Sequence, residues 1–189
     1  MQSVVPLGVK ITYYAFMAFM IPVYATHYSL INFTSICQIH LFLILVSFLT
    51  ENHVLISMSA LALLILQLLW CVDFMCVTMG IHFVGGTKYM YNSDIPLYVR
   101  IISLYHGWIP FFLLYLIKKV GYDQRAVFYE FILYNMIALF SYYHIDAYNK
   151  NMNMIRDIGI VGFFFLFCPT IIFTTHQLLL KWDCNKKNI

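Results

Sequence analysis

The residues of this sequence able to do chemistry are few, and most fall inside apolar runs, where a polar group is costly unless paired or facing a cavity. His106 lies deepest, in the run Pro96-Leu97-Tyr98-Val99-Arg100-Ile101-Ile102-Ser103-Leu104-Tyr105-His106-Gly107-Trp108-Ile109-Pro110. Its imidazole changes charge near working pH and in its neutral form is a general base. On a helix Arg100, Ser103 and Gly107 follow at steps of three and four, with His106 about two turns from Leu97. Gly107 and Pro110 would admit a neighbouring backbone or bend the helix. Further upstream, Thr34, Cys37 and Gln38 form one polar stripe with Leu41, flanked by Ser35 and His40. The Cys37 thiol, or the hydroxyl of Thr34 or Ser35, would attack an acyl carbonyl once a base such as His106 takes its proton. Side-chain amides such as Gln38 and Gln67 are the donors an oxyanion needs. The bland alternative for the whole stripe is hydrogen bonding between helices.

Other polar groups divide between site and scaffold. Gln67, Trp70 and Cys71 share a helix face, and Asp73 follows near that helix's end. Asp73 is either solvated there or paired across a loop with Arg100, which lowers the cost of both charges. Glu130 reads as an interfacial partner of Arg125, a pair of little energetic worth. Thr170, Thr174 and Gln177 fall along one face after Pro169, while His144 and Asp146 fall at an interface. No two of the seven His stand three or four residues apart, so the local metal-ligand signature is missing. The catalytic candidates are therefore His106, Cys37 and Thr34, and the binding candidates Gln38, Gln67, Asp73, Arg100 and Ser103.

Positioning these groups requires an all-α fold, a bundle of six membrane-spanning helices. Six stretches meet the requirement of about 20 mostly apolar residues: 9–26, 32–50, 54–79, 97–117, 126–145 and 158–180. Glu51-Asn52-His53 and Gly121-Tyr122-Asp123 are turns, Gly85-Gly86-Thr87 and Asn92-Ser93-Asp94 sit in a longer loop, and Pro96 opens the fourth helix. The 189 residues carry no internal repeat and read as one transmembrane domain. Val23-Tyr24-Ala25 loosely fits a signal-cleavage site, but the single Lys10 and the later Pro22 favour a retained first helix.

Composition agrees. The chain is 62% hydrophobic and 10% charged, against about 25% charged in soluble domains. Its five Cys form no C-x-x-C pair, which argues against a thiol oxidoreductase and against haem attachment. A net charge of +3 without a basic run leaves no case for nucleic acid. No cofactor is expected, since nucleotide-binding glycine motifs are lacking as well. With six spans, Lys10, Lys118, Lys119, Arg125, Lys181, Lys186 and Lys187 share one side, against Lys88, Arg100, Lys150 and Arg156. Seven against four places both termini in the cytoplasm.

Gln67-x-x-Trp70-x-x-Asp73-Phe74, Gly85-Gly86-Thr87-x-Tyr89-Met90, Arg100-x-x-Ser103-Leu104-x-His106-x-x-x-Pro110 and Gly121-Tyr122-Asp123-x-Arg125 together resemble a group of bacterial multi-pass membrane proteins of unassigned function. That resemblance implies a bacterial inner membrane. More distantly, the layout is similar to the androgen-induced transmembrane lipid hydrolases and related acyltransferase-like proteins. In those a Thr or Cys on an early helix works with a His on a central one, which implies those roles for Cys37 or Thr34 and for His106. Asn151-Met152-Asn153-Met154 resembles their Asn-x-Asn-Tyr-Met motif without its Tyr, which adds Asn153 to the binding candidates. The expectation is an intramembrane lipid hydrolase or acyltransferase with membrane lipid as its partner. The alternative is a non-enzymatic small transporter, lipid-binding protein or membrane-complex subunit, and a homo-oligomer or membrane partner is compatible with both.

Overall fold

The computed structural model describes residues 4–28, 30–81, 83–143 and 168–187, and the regular structure among them is entirely helical. The helices are α1 (Leu7–His27), α2 (Ile36–Thr50), α3 (Val54–Thr78), α4 (Leu97–Ser103), α5 (Tyr105–Val120), α6 (Ala126–Tyr143) and α7 (Cys168–Lys187). Short 3-10 turns occupy Leu30–Thr34 and Lys88–Tyr91. Three rods are long and apolar enough to cross a membrane: α1, α3, and α4 with α5 taken together over 97–120. The chain is thus an α-helical membrane protein. At 1.5 Å per residue, the 25 residues of α3 reach about 37 Å, beyond a hydrocarbon core of roughly 30 Å.

α3 is the hub, with α5, α2, α7 and α6 packed around it. Its first half shows why: Ile56, Ser57, Met58, Ser59, Ala60, Leu61, Ala62, Leu63 and Leu64 are all buried, and a helix apolar on every side must be surrounded. Away from that axis, aromatic rings join α1, α2 and α5. Tyr13 stacks on Phe112 at 5.5 Å and meets the edge of Phe48 at 5.4 Å, while its hydroxyl donates to Leu41 O at 2.8 Å. Such ring pairs contribute about 0.5–1.5 kcal/mol beyond their burial.

Helix ends largely follow their turn chemistry. Pro96 sits immediately before α4, and Gly121 closes α5 at φ 85°, a conformation open to glycine. Two expectations need correction. The second segment does not run as one helix from residue 32: Ser35 is extended (ψ 149°), so Thr34 belongs to a preceding 3-10 turn and the stripe is interrupted. The fourth segment breaks at Leu104 into α4 and α5. Ser103 Oγ donates to Val99 O at 3.1 Å, a bond of the kind that bends helices. Gly107 makes no close approach, because a Cβ there would meet nothing within 4 Å.

One end of the bundle is marked by the 51–53 turn. There Lys10 Nζ donates to Phe48 O at 3.1 Å and pairs with Glu51, Ser57 Oγ accepts from Asp123 N at 3.0 Å, and the Tyr122 hydroxyl meets His176 Nδ1 at 2.7 Å. The opposite end carries the 79–96 loop.

Candidate functional site

Polar side chains from three helices, α2, α3 and α5, converge between mid-bundle and the loop end. Gln67 lies 13 residues after Val54, so about 20 Å from the turn end. It is 1% exposed, and its amide bridges the two chemical candidates. Nε2 donates to Cys37 Sγ at 3.3 Å, and Oε1 lies 2.5 Å from His106 Nδ1. A carbonyl oxygen only accepts, so Nδ1 carries the hydrogen and Nε2 is left as the basic nitrogen of His106. The thiol and the imidazole therefore share one glutamine rather than touching each other.

The face expected for Gln67, Trp70 and Cys71 is the face that meets His106. Trp70 stacks on its ring at 5.1 Å, and Cys71 Sγ lies 3.9 Å from its carbonyl oxygen. Pro110 explains why that oxygen is free: it has no N–H to offer the carbonyl four residues back. On the other side Tyr105 stacks at 4.0 Å. Phe74 on Trp70 (5.2 Å) and Tyr91 on Phe74 (6.0 Å) extend the stack into the loop, giving a ladder of five rings from Tyr91 to Tyr105. Sequence reasoning missed this ladder. Its signal was the i, i+4 spacing of Trp70 and Phe74 beside the adjacent Tyr105 and His106.

Gln38 joins the same cluster. Ser35 and Gln38 stand at the positions of a capping box, but their side chains bond to each other, and Gln38 Nε2 donates to the Tyr105 hydroxyl at 3.2 Å. Ser103 Oγ lies 2.9 Å from the Tyr24 hydroxyl. Thr34 lies in the 3-10 turn before α2 and Ser35 is bonded to Gln38, while Asn153 lies outside the described residues, as do His144 and Asp146.

Asp73 and Arg100 do not pair. Asp73, 3% exposed, accepts from Val84 N (2.8 Å), Gly85 N (2.7 Å), Thr87 N (2.8 Å) and Thr87 Oγ1 (2.8 Å). Four donors satisfy the carboxylate without a cation. Arg100 Nη1 instead donates to Met90 O at 3.1 Å. Both charges thus anchor the 84–91 loop at that end of the cluster. Within that loop burial pushes the Tyr89 phenol up to about 12, opposed by hydrogen bonding from Ser103 and Trp70. Tyr89 therefore stays a neutral phenol at working pH.

The expected Glu130–Arg125 pair is not found either. Arg125 bonds Asp123 at 2.7 Å, and Glu130 turns inward to His40 at 3.0 Å. The Thr170, Thr174 and Gln177 face of α7 is exposed, and its buried face is Ile171, Ile172, Thr175 and Leu179. No cluster of three metal-ligating side chains occurs among the described residues. The chain matches no protein-family model, no curated protein and no solved structure, so its chemistry has to be argued from these contacts.

Proposed function

We propose that the chain spans the membrane six times with cytoplasmic termini and transfers or hydrolyses an acyl group of a membrane lipid, with Cys37 as nucleophile and His106 as base. The observation that carries this reading is the convergence of thiol, amide and imidazole from α2, α3 and α5 on Gln67, in mid-bundle. The basic residues support the orientation, because Lys10, Lys118, Lys119, Arg125 and Lys181 belong to the end marked by the 51–53 turn.

In the reaction the substrate carbonyl enters between the Gln67 amide and Cys37, breaking the amide's bond to the sulfur. The thiol proton passes to His106 Nε2, sulfur bonds to the acyl carbon, and the carbonyl π pair moves to oxygen, where Gln67 N–H is the donor. The ester C–O bond then breaks, and the leaving alkoxide takes the proton from His106. Water or an acceptor hydroxyl next attacks the thioester, giving up its proton to His106, and the thiol is restored.

A second reading rests on the same contact. Gln67 stands between thiol and imidazole, and an amide does not relay a proton, which suits a chamber that binds or passes a ligand without covalent chemistry. A lipid-like thiol-reactive probe on the purified protein separates the two. The enzyme reading expects labelling that falls on the order of a hundredfold or more in both Cys37→Ala and His106→Ala with the fold retained. Labelling that persists in Cys37→Ala but is lost in Thr34→Ala would transfer the nucleophile to the 3-10 turn. If no probe reacts and the substitutions change only stability, the ligand-binding reading holds.

A further inference from the structure

His40 on α2 and Glu130 on α6 face each other at 3.0 Å with both side chains fully buried, away from the thiol chemistry. His40 Nδ1 lies 2.7 Å from Ile36 O, an oxygen that can only accept, so Nδ1 is a fixed N–H. A single further proton lies between Nε2 and Oε2, whether the pair is imidazolium with carboxylate or imidazole with carboxylic acid. Both forms are neutral overall, which is how two ionisable groups tolerate complete burial. Removing that proton leaves a carboxylate facing the ring lone pair, and adding a second sets two donors against each other. Glu130 Oε1 is buried without a hydrogen-bond partner among the described residues, so none of these would hold the lone carboxylate.

Among the described residues the surroundings leave this proton to the pair. α3 presents hydroxyls here, with Ser59 Oγ donating to Leu55 O at 2.9 Å and to His40 O at 3.3 Å. Cys37 on α2 is bonded to Gln67, and the phenols on α6 nearest Glu130 in the sequence are Tyr129 and Tyr134. On α7 His176 is bonded to Tyr122 and Lys181 is exposed. At the turn end Asp123 is paired with Arg125, Lys10 with Glu51, and Glu51 also lies 4.0 Å from His53. α2 and α6 both pack chiefly on α3 and meet each other sparsely, so the pair is a principal link across their seam. A groove of about 560 Å³ opens along that seam, lined by Leu43, Asn52, Arg125, Tyr129, Leu133 and Met136 among others. Leu43 lies about one turn beyond His40, and Tyr129 and Leu133 flank Glu130 in the sequence.

We propose that His40 and Glu130 form a proton-binding site that sets the width of this groove. The pair holds α2 against α6 while it keeps one proton, and the seam widens beyond the groove seen here when that proton leaves. The inference is independent of any reaction at Cys37. It is tested in the full chain in lipid vesicles carrying Leu133→Cys, with maleimide labelling at position 133 followed by mass spectrometry across pH. A matched chain that also carries Glu130→Gln corrects for the pH dependence of thiol reactivity, because its amide donates to Nε2 at every pH. Alkaline labelling several-fold faster in the chain that retains Glu130 than in the Glu130→Gln chain is expected. As a measurement that needs no variant, nitrogen resonances of the histidine whose ring hydrogen exchanges most slowly should show Nε2 changing in one step while Nδ1 stays protonated. Equal labelling profiles in the two backgrounds, or an Nε2 signal unchanged over the whole range in which the protein remains folded, overturn the proposal.

Discussion

Asp73 and Glu130 are both carboxylic acids buried in helices of the bundle, 3% and 0% exposed, yet the protein treats them in opposite ways. Near the loop end, four donors from one short segment surround Asp73, and three of them are backbone N–H groups that cannot be anything but donors. Around Glu130, nearer the turn end, there is one partner, an imidazole nitrogen able to donate or accept, and one carboxylate oxygen has no partner among the described residues. The first arrangement fixes a charge and uses it to fold a loop. The second leaves the charge undecided and lets a proton decide it. Burial alone therefore says little about a carboxylate in a membrane protein; the hydrogen-bonding character of its neighbours says whether it is scaffold or switch.

The contrast predicts unequal costs for the same chemical change. Asp73→Asn turns one acceptor oxygen into an NH2 that faces donors, leaving buried N–H groups without a partner. A loss on the order of 3 kcal/mol is expected, with the 84–91 loop becoming accessible to protease. Glu130→Gln keeps a donor toward His40 Nε2 and should stay within about 1 kcal/mol of the parent at neutral pH. Unfolding of both variants in the same detergent is the comparison. Equal losses would show that the two carboxylates are held alike.

The loop that Asp73 folds depends on one backbone conformation. Gly85 has φ +79°, and its N–H is one of the four donors. Gly85→Ala should cost about 1–2 kcal/mol through the left-handed backbone alone. Its Cβ would also come within 3.1 Å of Lys88 Cε, a flexible chain end that can move aside. Gly86→Ala is the control, since its Cβ would meet Asp73 Oδ2 at an ordinary 3.8 Å. A Gly86 substitution as damaging as the Gly85 one would mean that space, rather than backbone conformation, limits the loop.

How much of this was legible in the sequence follows from what periodicity can carry. The bounds of α3, the start at Pro96 and the face of Gln67, Trp70 and Cys71 depend on local spacing and turn residues, and all three are found where spacing places them. Which faces then meet is a tertiary matter. His40 and Glu130 lie 90 residues apart, and nothing local distinguishes Glu130 beside Arg125 from Glu130 turned inward. Asp73 looked like a partner for Arg100 because a lone charge needs compensation. The loop supplied it through backbone N–H groups, which every sequence carries and no side-chain pattern advertises. The stripe through Thr34 failed for a smaller reason, since Ser35 before Ile36 is a helix start as readily as a helix interior.

The smallest expected effect sits at the exposed limit of the same comparison. Asp123 accepts from Arg125 N at 2.9 Å, Nε at 3.1 Å and Nη2 at 2.7 Å, nearly as many donors as Asp73 has, but the Arg125 side chain is 75% exposed. Hydrogen bonding from Arg125 holds the Asp123 carboxyl below its ordinary range, against a smaller opposing push from burial. A depressed folded-state pKa contributes stability that is present above the unfolded value of about 3.9 and is lost as pH falls through the folded value. Solvent screening keeps that contribution within roughly 1 kcal/mol. Asp123→Asn should therefore lower the unfolding midpoint slightly at pH 7, and the difference from the parent should fade in acid only as the pH drops through the depressed folded value, below the unfolded value of about 3.9, where the folded parent carboxyl is protonated as well. Added salt should shrink the difference at pH 7, since exposed pairs are screened. If Asp123→Asn costs as much as Asp73→Asn, or its cost persists in acid, then the number of donors governs these carboxylates and burial does not, and the distinction between the two ends of the bundle fails with it.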